Sequence, residues 1–402
     1  MLSPKITPNN SLVNNILTLR YDPSQKSILP RINPNNFKNT TPSLDQIEYL
    51  IEKSLKKIKN KPPKIAIALS GGIDSTLALF FLKKFFPDSK IESISIKFAN
   101  SIDESQTAGE IAEYFDVNHH IVHVDSYLEE LPRAISIVKM PFWDLHWYYV
   151  AKKARTLAKY IATGDGGDEI FGGYTFRYKK FLSLVKPDSK PLQKVKAYIE
   201  CHERDSVPDQ LELFGTRSAF SWEDIYDILL PYFDNSLQPI EQVFLADYNG
   251  KLLYNFSLVS KRFNDSFKLS TITPLLSQEL ISYAMGVSHS YKYDEKNDLG
   301  KLLLRKLLSK YNLNFLVPNQ KLGFSVNTIN LWESHGHKLC NEYLSDSRVI
   351  SDGWINQKWV NKYLNKENLN VRYVNKFLGL LAFELWYRLF VTKEIKPTLR
   401  LN

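Results

Sequence analysis

The sequence has few cysteines and no long apolar run. Among its 402 residues are only two cysteines, Cys201 and Cys340, which lie far apart and outside any C-x-x-C spacing. A disulfide framework or a cysteine-based zinc site is therefore not expected, and a reducing cytoplasm fits this composition. No stretch of about 18 apolar residues is present, so no membrane span is expected. The polar start of the chain also lacks a signal-peptide pattern.

The charge balance is basic, but the basic residues are dispersed. Lys and Arg number 52 against 43 Asp and Glu, giving a formal net charge of +9. No long basic block is interleaved with aromatic residues, which favours a solvated lysine-rich surface over a nucleic-acid patch. We therefore expect small-molecule partners, with neither nucleic acid nor membrane among them.

Hydrophobic periodicity predicts that strands and helices alternate in the first half of the chain. Helices are predicted at 44–58, 74–86, 104–115 and 147–159, and strands at 65–69, 91–98, 120–124 and 161–163. Such alternation is typical of right-handed βαβ units. It predicts an α/β fold with a doubly wound, mainly parallel sheet.

The composition divides the chain into three parts. Residues 1–43 are rich in Asn, Pro and Ser, and we expect an irregular arm. Residues 44–180 carry the alternating pattern of an α/β core. Residues 181–402 show mostly helical periodicity, which predicts a largely helical region that completes the domain.

The first motif, Ser70-Gly71-Gly72-Ile73-Asp74-Ser75, lies between a predicted strand and a predicted helix. Its glycines let backbone N–H groups face an anion, and the helix N-terminus adds partial positive charge. Asp74 would repel phosphate unless it held Mg²⁺. The alternative is a plain turn with Asp and Ser at the helix start. The motif is neither G-x-x-x-x-G-K-[ST] nor G-x-G-x-x-G.

The second motif, residues 163–174, reads TGDGGDEIFGGY and follows the last predicted strand of the first half. Ligands bind at the carboxyl ends of parallel strands, and glycines let the backbone approach them closely. Asp168 is therefore a candidate second carboxylate for Mg²⁺, opposite Asp74. The alternative is a glycine-rich turn with solvated acidic residues.

Both motifs resemble those of one known family. The first loop resembles that of the PP-loop ATP pyrophosphatases, and 163–174 is similar to the G-[ED]-G-x-D-E-x-F-x-G-Y signature of the asparagine synthetase synthase domain. The resemblance spans roughly residues 40–395. Further matching pieces are Asp103-Glu104, Pro141-Phe142 with Asp144, Pro274-Leu275-Leu276, Gly300-Lys301, Leu304-Arg305, 318–324 and Trp386.

The resemblance implies ATP and Mg²⁺ as cofactors and a role for each matching residue. It implies a reaction in which a carboxylate, with aspartate as the first guess, becomes an acyl-adenylate that ammonia or another amine attacks. Pyrophosphate contacts are implied for Ser70, Gly71, Gly72, Asp74, Ser75 and Thr76, Mg²⁺ ligation for Asp74 and Asp168, adenosine contacts for Leu69, Ile96, Thr163 and Gly164, and catalysis for Lys321 and Asp165.

The sequence departs from the family pattern in two places. Leu2 stands where the family's glutaminase domain has its cysteine nucleophile, and only about seventy residues precede the phosphate loop. We therefore expect free ammonia, another amine, or a separate glutaminase or ammonia-donating subunit. The family's Asp-Arg pair and E-x-R element are replaced by Lys261-Arg262 and Ser270-Thr271-Ile272, and the following block ends in Ser277. The acid that is activated is accordingly open.

Three other functions fit parts of the pattern. The first is another amide- or ring-forming ligase of the same superfamily. In the β-lactam-forming relatives the position of Asp165 resembles a tyrosine, so Asp165 disfavours a cyclase of that type. The second is a tRNA-modifying PP-loop enzyme, which the basic charge suggests and the second glycine motif disfavours. The third is a non-catalytic subunit that binds ATP.

Overall fold

Five parallel strands form a sheet at the centre of the computed structural model, which describes residues 7–58, 61–98, 105–186, 188–317 and 327–402. The strands are β1 (Lys64–Ala68), β2 (Lys90–Phe98), β3 (Asn118–Val124), β4 (Tyr160–Ala162) and β5 (Ser270–Ile272). Their order across the sheet is β3-β2-β1-β4-β5. The direction of winding reverses between β1 and β4, so a crevice opens there at the carboxyl ends of the strands.

The sheet confirms the predicted fold class and adds one strand. β1 to β4 lie within about two residues of the predicted strands, and β5 was not predicted. β5 has three residues, of which only Ile272 is buried, so it lacks the apolar run that marks β1. It pairs with β4 in parallel, with Ile161 opposite Thr271. The sheet therefore includes a strand from the half of the chain that was predicted to be helical, and the division at residue 180 stays a prediction.

The helices of the first half cover both faces of the sheet. Four of them match the four predicted helices to within about two residues, while a helix at Leu131–Val138 was not predicted. These helices are α1 (Asn10–Leu19), α2 (Leu44–Lys56), α3 (Ile73–Phe85), α4 (Ser105–Tyr114), α5 (Leu131–Val138), α6 (His146–Leu157) and α7 (Gly167–Phe171).

The second half is largely helical, as predicted. Its helices are α8 (Thr175–Leu184), α9 (Pro191–Cys201), α10 (Gln210–Leu213), α11 (Trp222–Phe233), α12 (Pro239–Asp247), α13 (Ser257–Ser266), α14 (Gln278–Gly286), α15 (Leu302–Lys310), α16 (Thr328–Leu331), α17 (His337–Ser345), α18 (Arg348–Ser351), α19 (Gln357–Tyr363) and α20 (Val371–Phe390). Short 3₁₀ turns lie at Pro34–Asn36, Thr216–Ser218, His289–Tyr291 and Asn314–Leu316. Within the described ranges, no helix combines the length and apolarity needed to cross a bilayer.

Alternate residues of β1 enter two different hydrophobic clusters. Ile65 and Ile67 belong to one cluster, together with Leu77 of α3. Ala66, between them, belongs to the other, together with Ala151 of α6 and Phe383 of α20. Since side chains along a strand point alternately to opposite faces, each face of the sheet carries its own core. Such three-layer burial accounts for the continuous apolar run of β1.

The prediction of an irregular arm is wrong for residues 10–19, which form α1. Asn9 caps the helix by accepting the N–H of Leu12 at 2.7 Å. The inner face of α1 mixes apolar and polar side chains, and the side chain of Gln210 donates to the carbonyl of Leu17 and to Thr18 at 3.1 and 3.0 Å. Buried polar groups of this kind need partners, and distant segments supply them. The first segment is therefore part of the packed structure.

A π-helical stretch, Tyr248–Phe256, joins α12 to α13 and receives the N-terminal segment. Asn249 is 1% exposed and bonds to both backbone groups of Ile32, accepting its N–H at 3.1 Å and donating to its carbonyl at 2.9 Å. Next to it, a Cβ on Gly250 would lie 2.7 Å from the hydroxyl oxygen of Tyr21. The wide π turn thus presents groups that anchor the N-terminal segment.

We predict that Asn249→Ala lowers the free energy of unfolding by about 2–4 kcal/mol, because it leaves the buried N–H and carbonyl of Ile32 unpaired. Urea denaturation measures the change. Asn297→Ala is the matched control, since Asn297 is exposed and its side chain donates to the neighbouring Asp294. That control should change stability by less than about 0.5 kcal/mol. Equal stability of the two variants would contradict the anchoring role of Asn249.

Candidate active site

The loop after β1 turns directly into α3, and its backbone requires glycine. Gly71 has φ +74°, and a Cβ there would approach Cγ2 of Thr107 to 3.0 Å. Gly72 is the N-cap of α3 and has no side chain to accept the first N–H groups of the helix. Those N–H groups and the positive end of the helix dipole suit an anion. The geometry therefore agrees with a phosphate-binding loop.

The hydroxyl groups of this loop bond within the loop. The side chains of Ser75 and Thr76 donate to the carbonyl of Gly72 at 3.1 and 2.8 Å. The N–H of Ser70 donates to Oγ of Ser75 at 3.3 Å. Ser75 and Thr76 are buried, whereas Ser70 is half-buried. The two buried hydroxyls thus fix the shape of the loop, and a contact of Ser70, Ser75 and Thr76 with pyrophosphate stays a prediction.

Asp74 and Asp168 face a common point in the crevice between β1 and β4. Asp74 lies in the first turn of α3, and Asp168 in the first turn of α7. Nζ of Lys301 lies 2.5 Å from Oδ2 of Asp74 and 2.8 Å from Oδ1 of Asp168. The two carboxylates that the sequence proposed as metal ligands are therefore brought to one cation.

This carboxylate pair fits Mg²⁺ by its chemistry. Mg²⁺ prefers oxygen ligands and is usually held by one or two carboxylates together with waters and substrate phosphates. In the described part of the chain, no group of three or more His, Cys, Asp or Glu side chains forms a metal site. Ligation of Mg²⁺ by Asp74 and Asp168 stays a prediction, in which water and nucleotide would supply the further ligands.

Lys301 is a site residue whose role the sequence did not predict. It precedes α15 with φ +56°, and its side chain is 9% exposed. Burial acts to lower the pKa of Lys301, but the carboxylates of Asp168 and Asp74 raise it overall. The Gly300-Lys301 pair was noted only as a matching piece. Only the fold shows that its ammonium reaches Asp74, which lies 227 residues earlier in the chain.

Glycines of the second motif make room for these side chains. A Cβ on Gly164 would lie 2.6 Å from the carbonyl carbon of Asp74, and one on Gly167 would lie 2.5 Å from its Oδ2. A Cβ on Gly173 would lie 2.8 Å from Cγ of Asp168 and would overlap the side chain of Lys301. The glycines therefore permit the backbone of one motif to rest against the carboxylates and the lysine.

The residues proposed to contact adenosine lie at the carboxyl ends of three neighbouring strands. Leu69 and Thr163 directly follow β1 and β4, and Ile96 lies near the end of β2. Their exposures are 1%, 1% and 6%. The N–H of Thr163 donates to the carbonyl of Ile272 at 3.0 Å, and its hydroxyl accepts the N–H of Asp165 at 3.1 Å. The four residues, including Gly164, thus border one edge of the sheet, while their contact with adenosine stays a prediction.

Asp165 lies on the same edge, next to a histidine–carboxylate pair that the sequence did not assign to the site. Burial raises the pKa of Asp165, while Thr163 and His146 oppose that shift. Nδ1 of His146 lies 2.6 Å from Oδ1 of Asp144, which also accepts the hydroxyl of Tyr127 at 2.9 Å. Burial acts to lower the pKa of His146, but Asp144 raises it overall. The Asp144 carboxylate therefore favours the protonated form of an imidazole that lies near Asp165.

Some of the proposed residues lie outside the described ranges. These are Lys321, the matching segment 318–324 and the pair Asp103-Glu104. The role of Lys321 stays a prediction from the resemblance. In the pair that replaces the family's Asp-Arg, Arg262 donates to the carbonyl of Val138, and Lys261 pairs with Asp265 at 2.7 Å.

Comparison with known families decides the relationship. The model of the asparagine synthase family matches residues 46–388. The chain belongs to the asparagine synthase family. The matched stretch includes both glycine motifs, Lys301 and all five strands, so the crevice described above lies within the region that the family shares.

Curated relatives of the asparagine synthase family cover most of this chain but only part of their own length. Asparagine synthetase [glutamine-hydrolyzing] 1 of Bacillus subtilis is 23% identical over 364 residues, which are 82% of this chain and 56% of that protein. A putative asparagine synthetase [glutamine-hydrolyzing] 2 of Methanocaldococcus jannaschii is 36% identical over 111 residues, 26% of this chain and 22% of that protein. The chain thus spans little more than half of the length of the Bacillus subtilis protein.

Solved structures give weak global similarity. NMN synthetase from Francisella tularensis shares 16% identity, with a TM-score of 0.25 and coverage of 58% of this chain and 99% of that one. The U34-tRNA thiolase NcsA from Methanococcus maripaludis also shares 16% identity, with a TM-score of 0.26 and coverage of 73% and 89%.

We predict that Gly167→Ala lowers the free energy of unfolding by about 1–3 kcal/mol, because the added methyl group would overlap the Asp74 carboxylate. Gly109→Ala is the matched control, since its nearest neighbour would be 3.8 Å away and it lies inside α4. That control should raise stability by about 0.5–1 kcal/mol. Urea denaturation measures both, and a neutral Gly167→Ala would contradict the close packing of the two motifs.

Lys292 packs against Gly172 of the second motif, and its buried amine should make the stability of the protein depend on pH. It is 0% exposed and lies next to Gly172, and Nζ has no hydrogen-bond partner among the described residues. Nζ faces the ring of Phe244 at 5.4 Å. Burial lowers the pKa of Lys292 from 10.5 to about 7, against a weaker opposing effect of Glu241. Between those two values the unfolded chain holds a proton that the folded protein lacks, so stability rises with pH there.

Lys292→Met should therefore raise the free energy of unfolding by about 3 kcal/mol near neutral pH, and the gain should shrink towards about pH 10. Urea denaturation at the two pH values measures it. The exposed Lys296 supplies the control, because Lys296→Met should change stability by less than about 0.5 kcal/mol at either pH. A gain that did not depend on pH would show that packing, rather than the buried amine, sets the difference.

Proposed function

We propose that the chain is an ATP-dependent carbon–nitrogen ligase that forms AMP and pyrophosphate. A carboxylate oxygen of the acid attacks the α-phosphorus of ATP, the bond to the β-phosphate breaks, and pyrophosphate leaves. The nitrogen of an amine then attacks the acyl carbon, and AMP leaves with the former carboxylate oxygen. The observation that carries this proposal is the meeting of Asp74, Asp168 and Lys301 beside the phosphate-type loop in the switch-point crevice.

The phosphate end of the site would use backbone groups more than side chains. Gly71 and Gly72 leave the N-terminus of α3 open, and its N–H groups would donate to the pyrophosphate oxygens. Negative charge builds up on pyrophosphate as the α–β bond breaks, so fixed donors lower the barrier. Lys321 is proposed to add a positive charge, as the resemblance implies.

The carboxylates give this site its metal requirement. Without a cation, Asp74 and Asp168 would repel the phosphates of ATP. A role in holding a cation would explain why acidic residues lie in an anion-binding site. A bound Mg²⁺ would neutralise charge on the phosphates and so improve pyrophosphate as a leaving group. The chain's own contribution is to hold the two carboxylates at the mouth of the loop, with Gly164 and Gly167 allowing the close approach.

The acceptor end of the site would use Asp165. After an amine attacks the acyl carbon, the nitrogen carries a proton that must leave before or as the amide forms. Asp165 is held by Thr163 at the end of β4, and burial raises its pKa, which makes the carboxylate a better base than an exposed aspartate. His146, fixed by Asp144, would limit that rise and orient the Asp165 side chain.

Aspartate and ammonia are the first proposal for the substrates. Support comes from the family and from the names of relatives, which are asparagine synthetases. Arg262 and Lys261, which replace the family's Asp-Arg pair, are engaged with Val138 and Asp265 in this fold. A different acid is therefore the main alternative within the same chemistry, and ammonia is proposed to come free or from a separate donor.

A pyrophosphate-release screen tests the proposal. ATP and Mg²⁺ are combined with candidate carboxylic acids, each with ammonia, with glutamine and with neither. We expect release of pyrophosphate and AMP in equal amounts with aspartate and ammonia. Pyrophosphate release with a different acid, and none with aspartate, would identify a different ligase. AMP transfer to tRNA would identify a tRNA-modifying enzyme. ATP binding without turnover under any condition would contradict the ligase proposal.

Asp74→Asn should lower the rate of pyrophosphate release by about 10²–10³-fold, because it removes one of the two charges proposed to hold Mg²⁺. Asp88→Asn is the matched control, since Asp88 is exposed in the turn after α3, away from the crevice. The control should keep the original rate. Normal turnover by Asp74→Asn, with an unchanged Mg²⁺ requirement, would exclude Asp74 as a metal ligand.

A further inference from the structure

Lys301 is held in the crevice by the segment that carries Asp168. Its N–H donates to the carbonyl of Gly172 at 3.3 Å, and its positive φ directs the chain into α15. Nε of Arg305, one turn later, donates to the carbonyl of Gly300 at 3.0 Å. The backbone on both sides of Lys301 is therefore fixed, and only its flexible side chain is free to relocate the ammonium.

The ammonium of Lys301 lies where a divalent cation would have to bind. It contacts one oxygen of Asp74 at 2.5 Å and one of Asp168 at 2.8 Å. A metal ion bound to the same two oxygens would stand in the same space, and it would repel the ammonium across a buried, poorly screened gap. Lys301 and the metal are thus alternative partners of one carboxylate pair.

We propose that Lys301 occupies the Asp74–Asp168 metal position in the nucleotide-free protein and makes metal binding depend on nucleotide. This inference rests on the proposed nucleotide and metal chemistry of the site. Without the positive charge of Lys301, the half-buried carboxylates of Asp74 and Asp168 would repel each other more strongly, which is unfavourable. The lysine therefore neutralises the pair until a nucleotide arrives.

Nucleotide changes this balance because its phosphates carry negative charge. They supply oxygen ligands for the metal and a new partner for the released ammonium, at the open N-terminus of α3 beside Asp74. When Lys301 is displaced, its ammonium then pairs with phosphate and is not left as a buried positive charge without a partner. The site would bind metal weakly alone and tightly with nucleotide, so metal and nucleotide would each raise the affinity for the other.

Titration with Mn²⁺, followed through the electron paramagnetic resonance of free Mn²⁺, tests this coupling without turnover. The nucleotide probe is an ATP analogue with a methylene group between the α and β phosphates. Once the Mn²⁺ that the analogue binds in protein-free solution has been subtracted, the analogue should tighten Mn²⁺ binding to the unaltered protein by at least about tenfold. Lys301→Met should bind Mn²⁺ without nucleotide at least about tenfold more tightly than the unaltered protein. Lys301→Arg, which keeps the charge, should bind as weakly as the unaltered protein.

Two controls locate the effect at this carboxylate pair. Lys251→Met removes another buried lysine that pairs with a carboxylate, Asp205, and it should not tighten Mn²⁺ binding. Adding Asp74→Asn to Lys301→Met should abolish the tight binding. Equal affinity of the unaltered protein with and without the analogue would overturn the proposal even if Lys301→Met fails to fold. Failure of the pyrophosphate screen alone would leave these titrations intact, so the two proposals fail separately.

Discussion

The contact of Lys301 with Asp74 and Asp168 is the interaction on which the rest of the site depends. It joins three segments that lie at the start of α3, at the start of α7 and before α15. Burying charges costs several kcal/mol each unless they are paired. The fold meets that cost through a carboxylate–ammonium–carboxylate arrangement, which in turn requires glycine at positions where any side chain would collide. The glycines of the second motif are therefore needed for packing around Asp74, Asp168 and Lys301.

Elements from both halves of the chain frame the crevice. β1 and β4 are buried on both faces, and each face has its own hydrophobic cluster. The N-terminal segment packs against the helical half of the chain. There the side chain of Asn249, in the π-helical stretch, forms two hydrogen bonds with the backbone of Ile32. Groups at the carboxyl edge of the sheet are therefore held by elements from both halves of the chain.

Much of the sheet, and the placement of the glycine loop between β1 and α3, could be predicted from sequence. Strands such as β1 have continuous apolar runs, and the two glycine motifs have fixed local spacing, so both leave strong signals. β5 could not be predicted, because three residues with a single buried side chain have no periodicity. α1 was missed because its inner face includes Asn14 and Thr18, whose burial depends on distant partners. Lys301 and His146 were missed as site residues for the same reason, since only tertiary structure brings them to Asp74 and Asp165.

The most direct test of the account is a crystal structure with Mn²⁺ and the α,β-methylene analogue of ATP, with anomalous data collected at the manganese edge. We expect a manganese peak between the carboxylates of Asp74 and Asp168, with phosphates at the N-terminus of α3 and the ammonium of Lys301 moved onto them. A manganese ion bound elsewhere, with Lys301 still between the two carboxylates, would contradict it.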